Sequence, residues 1–291
     1  MRRALAAAVT VCALGLLLPG AAAAKRSVPK VTPGSTYLAL GDSVSFGYQE
    51  PQVVPKPNYA KASTFRGFPE HLGRALHLKV FNSSCPGESS SSFINPKAQS
   101  FGCENLPGSP TIGYRKFYPL HVSYKGSQLS YAISFLRKHP KTRLVSLMIG
   151  ANDFFICRDT TSDGCASQSE QQATAATIRR NVTTIVSGIR KKAGYSGQLV
   201  VVRYFSTDYS SPVISAAARA ISNPMLTAAK PFSVAVADGF GEFKAAAAHS
   251  GGNSCRAGLL TQLGQPDSCG FHPSYSGQGL LALAVARVIR R

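Results

Sequence analysis

Four short polar stretches carry residue types that could do chemistry together. Gly41-Asp42-Ser43-Val44-Ser45 offers a serine hydroxyl, and Asn82-Ser83-Ser84-Cys85-Pro86-Gly87-Glu88 offers a glycine N–H. Gly150-Ala151-Asn152-Asp153 offers a side-chain amide, and Phe271-His272-Pro273 an imidazole. A serine hydroxyl is a weak nucleophile until a neighbouring base takes its proton. The tetrahedral oxyanion that follows its attack on an acyl carbonyl needs donors already aimed at it. Each stretch alone is a weak signal. Gly-Asp-Ser is commonly a turn, Gly-Ala-Asn-Asp can start a helix, and a lone histidine is more often structural than catalytic. Their weight is joint: a nucleophile, two donors and a base, each following a predicted strand or preceding the last helix. No Gly-x-Ser-x-Gly occurs, so the nucleophile elbow of that motif is absent.

The elements that must position these residues are legible as apolar runs. Tyr37–Leu40, Leu78–Phe81, Arg143–Ile149, Leu199–Val202 and Phe232–Ala237 read as strands. Helical spacing falls over Phe65–Leu76, Leu129–Leu136, Ser167–Lys192, Pro212–Ala229, Phe240–His249 and Gln278–Arg291. Unbroken apolar strands alternating with helices predict a parallel sheet covered on both faces. No internal repeat or second composition regime appears, so one α/β domain is the economical reading. Open parallel sheets bind ligands beyond the carboxyl ends of their strands. Three of the four polar stretches follow Leu40, Phe81 and Ile149.

On these residues the chain resembles the SGNH (GDSL-type) hydrolases. Their first block is matched by Gly41-Asp42-Ser43, with Val44 where the name motif has Leu; the second by Gly87; the third in full by Gly150-Ala151-Asn152-Asp153; the last by His272-Pro273. The resemblance spans residues 37–291, and the local cysteine pairs, the N-terminal signal and the closing helix further resemble secreted actinobacterial esterases and lipases of this superfamily. It implies a flavodoxin-like three-layer α/β/α sandwich with a central parallel sheet, no cofactor and no metal. It also implies Ser43 as nucleophile, His272 as base, and an oxyanion hole from Gly87, Asn152 and the Ser43 N–H. One position departs from the pattern. The family usually has Asp three residues before the histidine, and here Cys269 stands there. The Nδ1–H of His272 could be held by a backbone carbonyl near Cys269 or by Asp267, or catalysis could be impaired. The carbonyl is the preferred reading.

The N-terminus points to export. Met1-Arg2-Arg3 precedes the apolar run Ala4–Leu18, a Pro19-Gly20 break and the small residues Ala22-Ala23-Ala24. This is the pattern of a signal peptide over residues 1–24. The Ala-rich end favours cleavage over retention as an anchor, with a flexible leader expected over 25–36 and the hydrolase domain over 37–291. Six of the seven cysteines lie beyond Cys12, an even number that suits disulfides in an exported protein. They fall in three local pairs, so the simplest assignment is Cys85–Cys103, Cys157–Cys165 and Cys255–Cys269. No Cys-x-x-Cys and no histidine pair at ligand spacing supports a metal site. Asp159 and Asp163 read as solvated loop carboxylates rather than Ca²⁺ ligands. Asn82-Ser-Ser and Asn181-Val-Thr match glycosylation triplets, which are too common to carry weight.

With 291 residues, 44% hydrophobic and 15% charged, the chain is neither disordered, collagen-like nor a coiled coil. A formal net charge of +19 favours an anionic membrane or cell-wall surface as partner. Charge alone also fits nucleic acid, but no recognition motif accompanies it. The expected protein is a secreted, monomeric esterase or lipase acting on small-molecule or lipid esters. A carbohydrate O-deacetylase on the same machinery and a catalytically silent wall- or lipid-binding protein are the rivals.

Overall fold

The computed structural model describes residues 28–265 and 268–291. The expected signal peptide, residues 25–27 of the leader and Asp267 lie outside the described residues. In chain order the elements are β1 (Thr36–Gly41), α1 (Ser43–Phe46), α2 (Phe68–Leu76), β2 (Lys79–Asn82), α3 (Tyr114–Phe117) and α4 (Gln128–Lys138). Then follow β3 (Leu144–Met148), α5 (Ala151–Thr160), α6 (Gln168–Ser187), β4 (Gln198–Val202), α7 (Pro212–Ala229) and β5 (Ala235–Ala237). The chain closes with α8 (Gly239–Ala247), β6 (Leu260–Gln262), β7 (Cys269–Pro273) and α9 (Tyr275–Val288).

Five strands form one parallel sheet in the order β2-β1-β3-β4-β5. Successive side chains of a strand point to opposite faces, and both faces here are apolar. Tyr37, Ala39, Leu144, Val200 and Val202 pack against Leu72 of α2, Phe243 of α8 and Leu281 and Val285 of α9. Leu38, Leu40, Val145, Leu147 and Val201 pack against Leu129 of α4, Ile178 and Val182 of α6 and Met225 of α7. The expected three-layer α/β/α arrangement follows from this two-sided burial, which only a sheet covered by helices on both faces can satisfy.

The strand order places the ligand crevice. From β1 the chain passes outward to β2, then returns to lay β3 on β1's other side. The connections therefore diverge between the carboxyl ends of β1 and β3, which opens a crevice there. Ser43 follows β1 and Asn152 follows β3.

Two expectations about the periphery need correction. From Val28 onward the leader is not loose: Val31 is buried, its N–H donates to Arg290 O at 2.8 Å, and Gln198 Nε2 donates to Pro29 O at 2.8 Å. An apolar side chain and two satisfied backbone groups dock this segment on the end of the chain and on the start of β4. The stretch 253–273, without strand signals in the sequence, contains the antiparallel hairpin β6–β7. Its strands are too short to show alternation. The cysteines are joined as expected, Cys85–Cys103, Cys157–Cys165 and Cys255–Cys269.

Candidate active site

Ser43 sits at the start of α1, a single turn capped at both ends. Asp42 caps it by accepting the Val44 N–H at 3.0 Å, and Tyr204 donates its hydroxyl proton to the same carboxylate. Gly47 ends it at φ 82°, a left-handed conformation in which a Cβ would lie 2.2 Å from Gly67 N. Only glycine allows so sharp a reversal against a neighbouring backbone. The reversal sends residues 48–50 back past Ser43.

His272 comes from β7. Its Nε2 lies 2.9 Å from Ser43 Oγ, and its Nδ1 lies 2.8 Å from Glu50 Oε1. Glu50 is the residue that sequence reasoning missed. Neither reading of the Nδ1 partner that the sequence offered describes this geometry: the partner is a carboxylate seven residues beyond Ser43, not a carbonyl near Cys269. The reason is a convergence of donors. Glu50 Oε1 also accepts the Phe271 N–H at 2.8 Å and the His272 N–H at 3.2 Å, while Oε2 accepts the Thr261 hydroxyl at 2.5 Å. A carboxylate has lone pairs for all of these; a single carbonyl does not. Gly270 makes the approach possible, since a Cβ there would stand 2.0 Å from Glu50 Oε1. Burial works against the charge on Glu50. The hydrogen bond and charge of His272 and the bond from Thr261 outweigh it and hold the carboxyl at about 2. Tyr48 lays its ring edge-on against His272, with centroids 4.9 Å apart.

Gly87 and Asn152 line the same cleft as Ser43 and His272. Gly87 adopts φ 79°, and a Cβ there would meet Phe101 O at 2.3 Å, so the loop requires glycine. Its N–H donates to no backbone acceptor among the described residues. Asn152 Nδ2 donates to Glu88 O at 2.9 Å. A primary amide carries two N–H bonds, so one anchors the loop and a second remains for a ligand. The loop is held from below as well. Asp153 accepts both the N–H and the hydroxyl of Ser90, at 2.8 and 2.6 Å. Gln128 brackets Gly41 through both backbone groups, at 2.7 and 3.0 Å, and donates to Glu88 Oε2 at 2.9 Å. One buried amide thus ties the strand end before Ser43 to the residue after Gly87. The helix N-terminus at Gln128 carried no chemical signature, and Gln128 was missed with it.

The other flagged residues are elsewhere or otherwise occupied. Asn82 is buried and donates to Ser45 O and Glu70 Oε1, which leaves no room for a glycan. Asn181 donates to Ser90 and Ser91 hydroxyls. Asp163 accepts the N–H of Ser167 at 2.9 Å, and Asp159 pairs with Arg158. Two clusters bring cysteines near Glu88 and Glu170 at metal-ligand distance. Their sulfurs are in disulfides and have no thiolate to offer a metal.

A hydrogen-bonded serine, imidazole and carboxylate beside an apolar cleft of about 490 Å³, with amide donors on its wall, is the arrangement of a serine hydrolase. The chain belongs to the GDSL-like lipase/acylhydrolase family, whose family model matches residues 39–280. It is a carboxylic ester hydrolase of that family. Comparison with the curated proteins gives no match. Among solved structures, it is similar to phospholipase A1 from Streptomyces albidoflavus NA297, at 19% identity over 88% of this chain and 99% of that one, TM-score 0.53. It is also similar to the extracellular lipase from Streptomyces rimosus, at 19% identity over 88% and 100%, TM-score 0.51. A variant acetyl xylan esterase from Geobacillus stearothermophilus matches at 16% identity over 89% and 96%, TM-score 0.50. At these identities the likeness concerns the fold.

Proposed function

We propose that this protein is an exported serine esterase that cleaves acyl-lipid esters through an acyl-enzyme. Ser43 Oγ attacks the acyl carbonyl as His272 Nε2 removes its proton. His272 returns that proton to the leaving alcohol, then activates the water that releases the acid. Glu50 holds the imidazole with Nδ1 protonated and faces the positive charge that develops on it. The N–H groups of Ser43 and Gly87 and the amide of Asn152 receive the oxyanion. The observation that carries this reading is the unbroken chain Ser43 Oγ–His272–Glu50, at 2.9 and 2.8 Å.

An acyl chain is favoured because the cleft continues from Ser43 along Phe205, Ile214, Ala217, Ala218 and Ile221. Export is supported by the signal-peptide pattern and the three disulfides. Among the described residues no helix is long and apolar enough to cross a membrane. The likeness to an acetyl xylan esterase keeps carbohydrate deacetylation as the second reading.

A fluorophosphonate probe and an ester series from acetyl to long-chain test the proposal. Covalent labelling should occur at Ser43 and vanish in Ser43→Ala, with turnover highest on medium or long acyl chains. Labelling that survives Ser43→Ala would reject the nucleophile. A preference for acetylated sugars would favour the second reading.

A further inference from the structure

The cleft that contains Ser43 is apolar along most of its wall, yet one full cation stands on it. Arg158 is the sole lysine or arginine among the described lining residues. It lies in the last turn of α5, the helix whose first turn presents Asn152. Six residues of helix separate the two, about 9 Å along the axis. The guanidinium is held in place on three sides. Its Cζ lies 5.2 Å from the Phe155 ring centroid and 5.8 Å from that of Phe101, and its Nε donates to Asp159 Oδ1 at 2.6 Å. The next residue back, Cys157, is fastened to Cys165. The terminal amino groups, which form the fork that matches phosphate geometry, have no acceptor among the described residues. The side chain keeps half its surface in solvent, so an anion can reach it.

Resting on the ester-hydrolase reading above, we infer that Arg158 is a specificity-determining residue that binds a phosphate on the alcohol side of the substrate. The acyl chain then lies against Ile214, Ala217, Ala218 and Ile221, and the ester carbonyl faces Asn152. The offset between Asn152 and Arg158 is on the scale of a three-carbon polyol esterified at one end and phosphorylated at the other. Asp159 competes with the phosphate for the guanidinium and tempers its charge.

The test compares two soluble substrates that differ in one group, octanoyl glycerol and octanoyl glycerol phosphate, with the intact protein. Wild type should favour the phosphate ester through a lower KM. Arg158→Met should raise that KM about 10-fold, the loss of one charge-assisted contact at a half-exposed site. It should leave kcat, and both constants on the neutral ester, nearly unchanged. Asp159→Asn should lower KM for the phosphate ester. Equal losses on both substrates would show a structural role and overturn the inference. So would a phosphate preference that survives Arg158→Met and disappears with salt, since the +19 net charge would then be its source. Turnover of neither ester by wild type would sink the underlying hydrolase reading. Turnover of octanoyl glycerol with no preference would sink the phosphate inference alone.

Discussion

Glu50 accepts four hydrogen bonds from three separate residues, and two of its donors belong to the histidine it orients. Its charge is therefore part of the imidazole's geometry as well as its electrostatics. Glu50→Gln keeps an oxygen for the two backbone N–H groups and for Nδ1 but removes the negative charge that faces the imidazolium. Turnover is expected to fall by about 10²–10⁴, toward the loss seen when a triad acid is made neutral. Asp267→Asn is expected to leave turnover within several-fold. The reverse pattern, with Asp267 critical and Glu50 dispensable, would reject this triad. Gly270→Ala approaches the same bond sterically. Its Cβ would push into the Glu50 carboxylate, so kcat on a simple ester should fall with little change in KM.

At the level of elements, the site is an assembly of short pieces that few long-range bonds keep in register. The hairpin β6–β7 is held by the Cys255–Cys269 bridge, across a separation of 14 residues. The chain-entropy account assigns such a loop about 3 kcal/mol. Replacing both cysteines by serine should lower stability by roughly that amount and also depress kcat, because His272 loses its frame. The Cys157→Ser/Cys165→Ser pair, which leaves the hairpin intact, should lower stability while sparing kcat on a neutral ester. Calorimetry with a soluble ester assay separates the two. Equal effects of both pairs on kcat would refute the link between hairpin and base. On the opposite wall, Gln128 and Asp153 do for the Gly87 loop what the disulfide does for the hairpin.

Over the whole molecule, the rim rests on buried carboxyls whose preferences oppose that of Glu50. Burial, the largest influence in each case, raises Asp42 and Asp153 to about 6 and Glu70 and Glu88 to about 7. Each value lies above that of the unfolded chain, about 4. The stability these groups contribute is complete below that pH and is lost as pH rises through 6 to 7. Glu50 runs the other way: its contribution is present above about 4.3 and lost as pH falls toward 2. The large positive charge also weakens the fold at low pH, so the clean comparison is between wild type and Glu88→Gln. The melting temperature of the variant minus that of wild type should increase from pH 5 to pH 8, by on the order of 5 °C. A difference that stays flat or shrinks would show that Glu88 is already ionised at low pH.

Local patterning settled much of this protein. Apolar runs and helical spacing located the five sheet strands and the long helices, because burial on one face or two imposes its own period on the chain. The four polar stretches and the cysteine pairs were visible for a similar reason: each is local, and each stands where a strand or a loop must end. What the chain could not display on its own is which distant groups meet. Glu50 carries no motif; it has a glutamine before it and a proline after it. It becomes the partner of His272 only because a glycine turn at residue 47 and a hairpin some 220 residues away bring a carboxylate under four donors at once. Gln128 and Arg158 acquire their positions in the same way. Hydrogen bonds and clefts between remote segments are set by packing, and packing has no period to read.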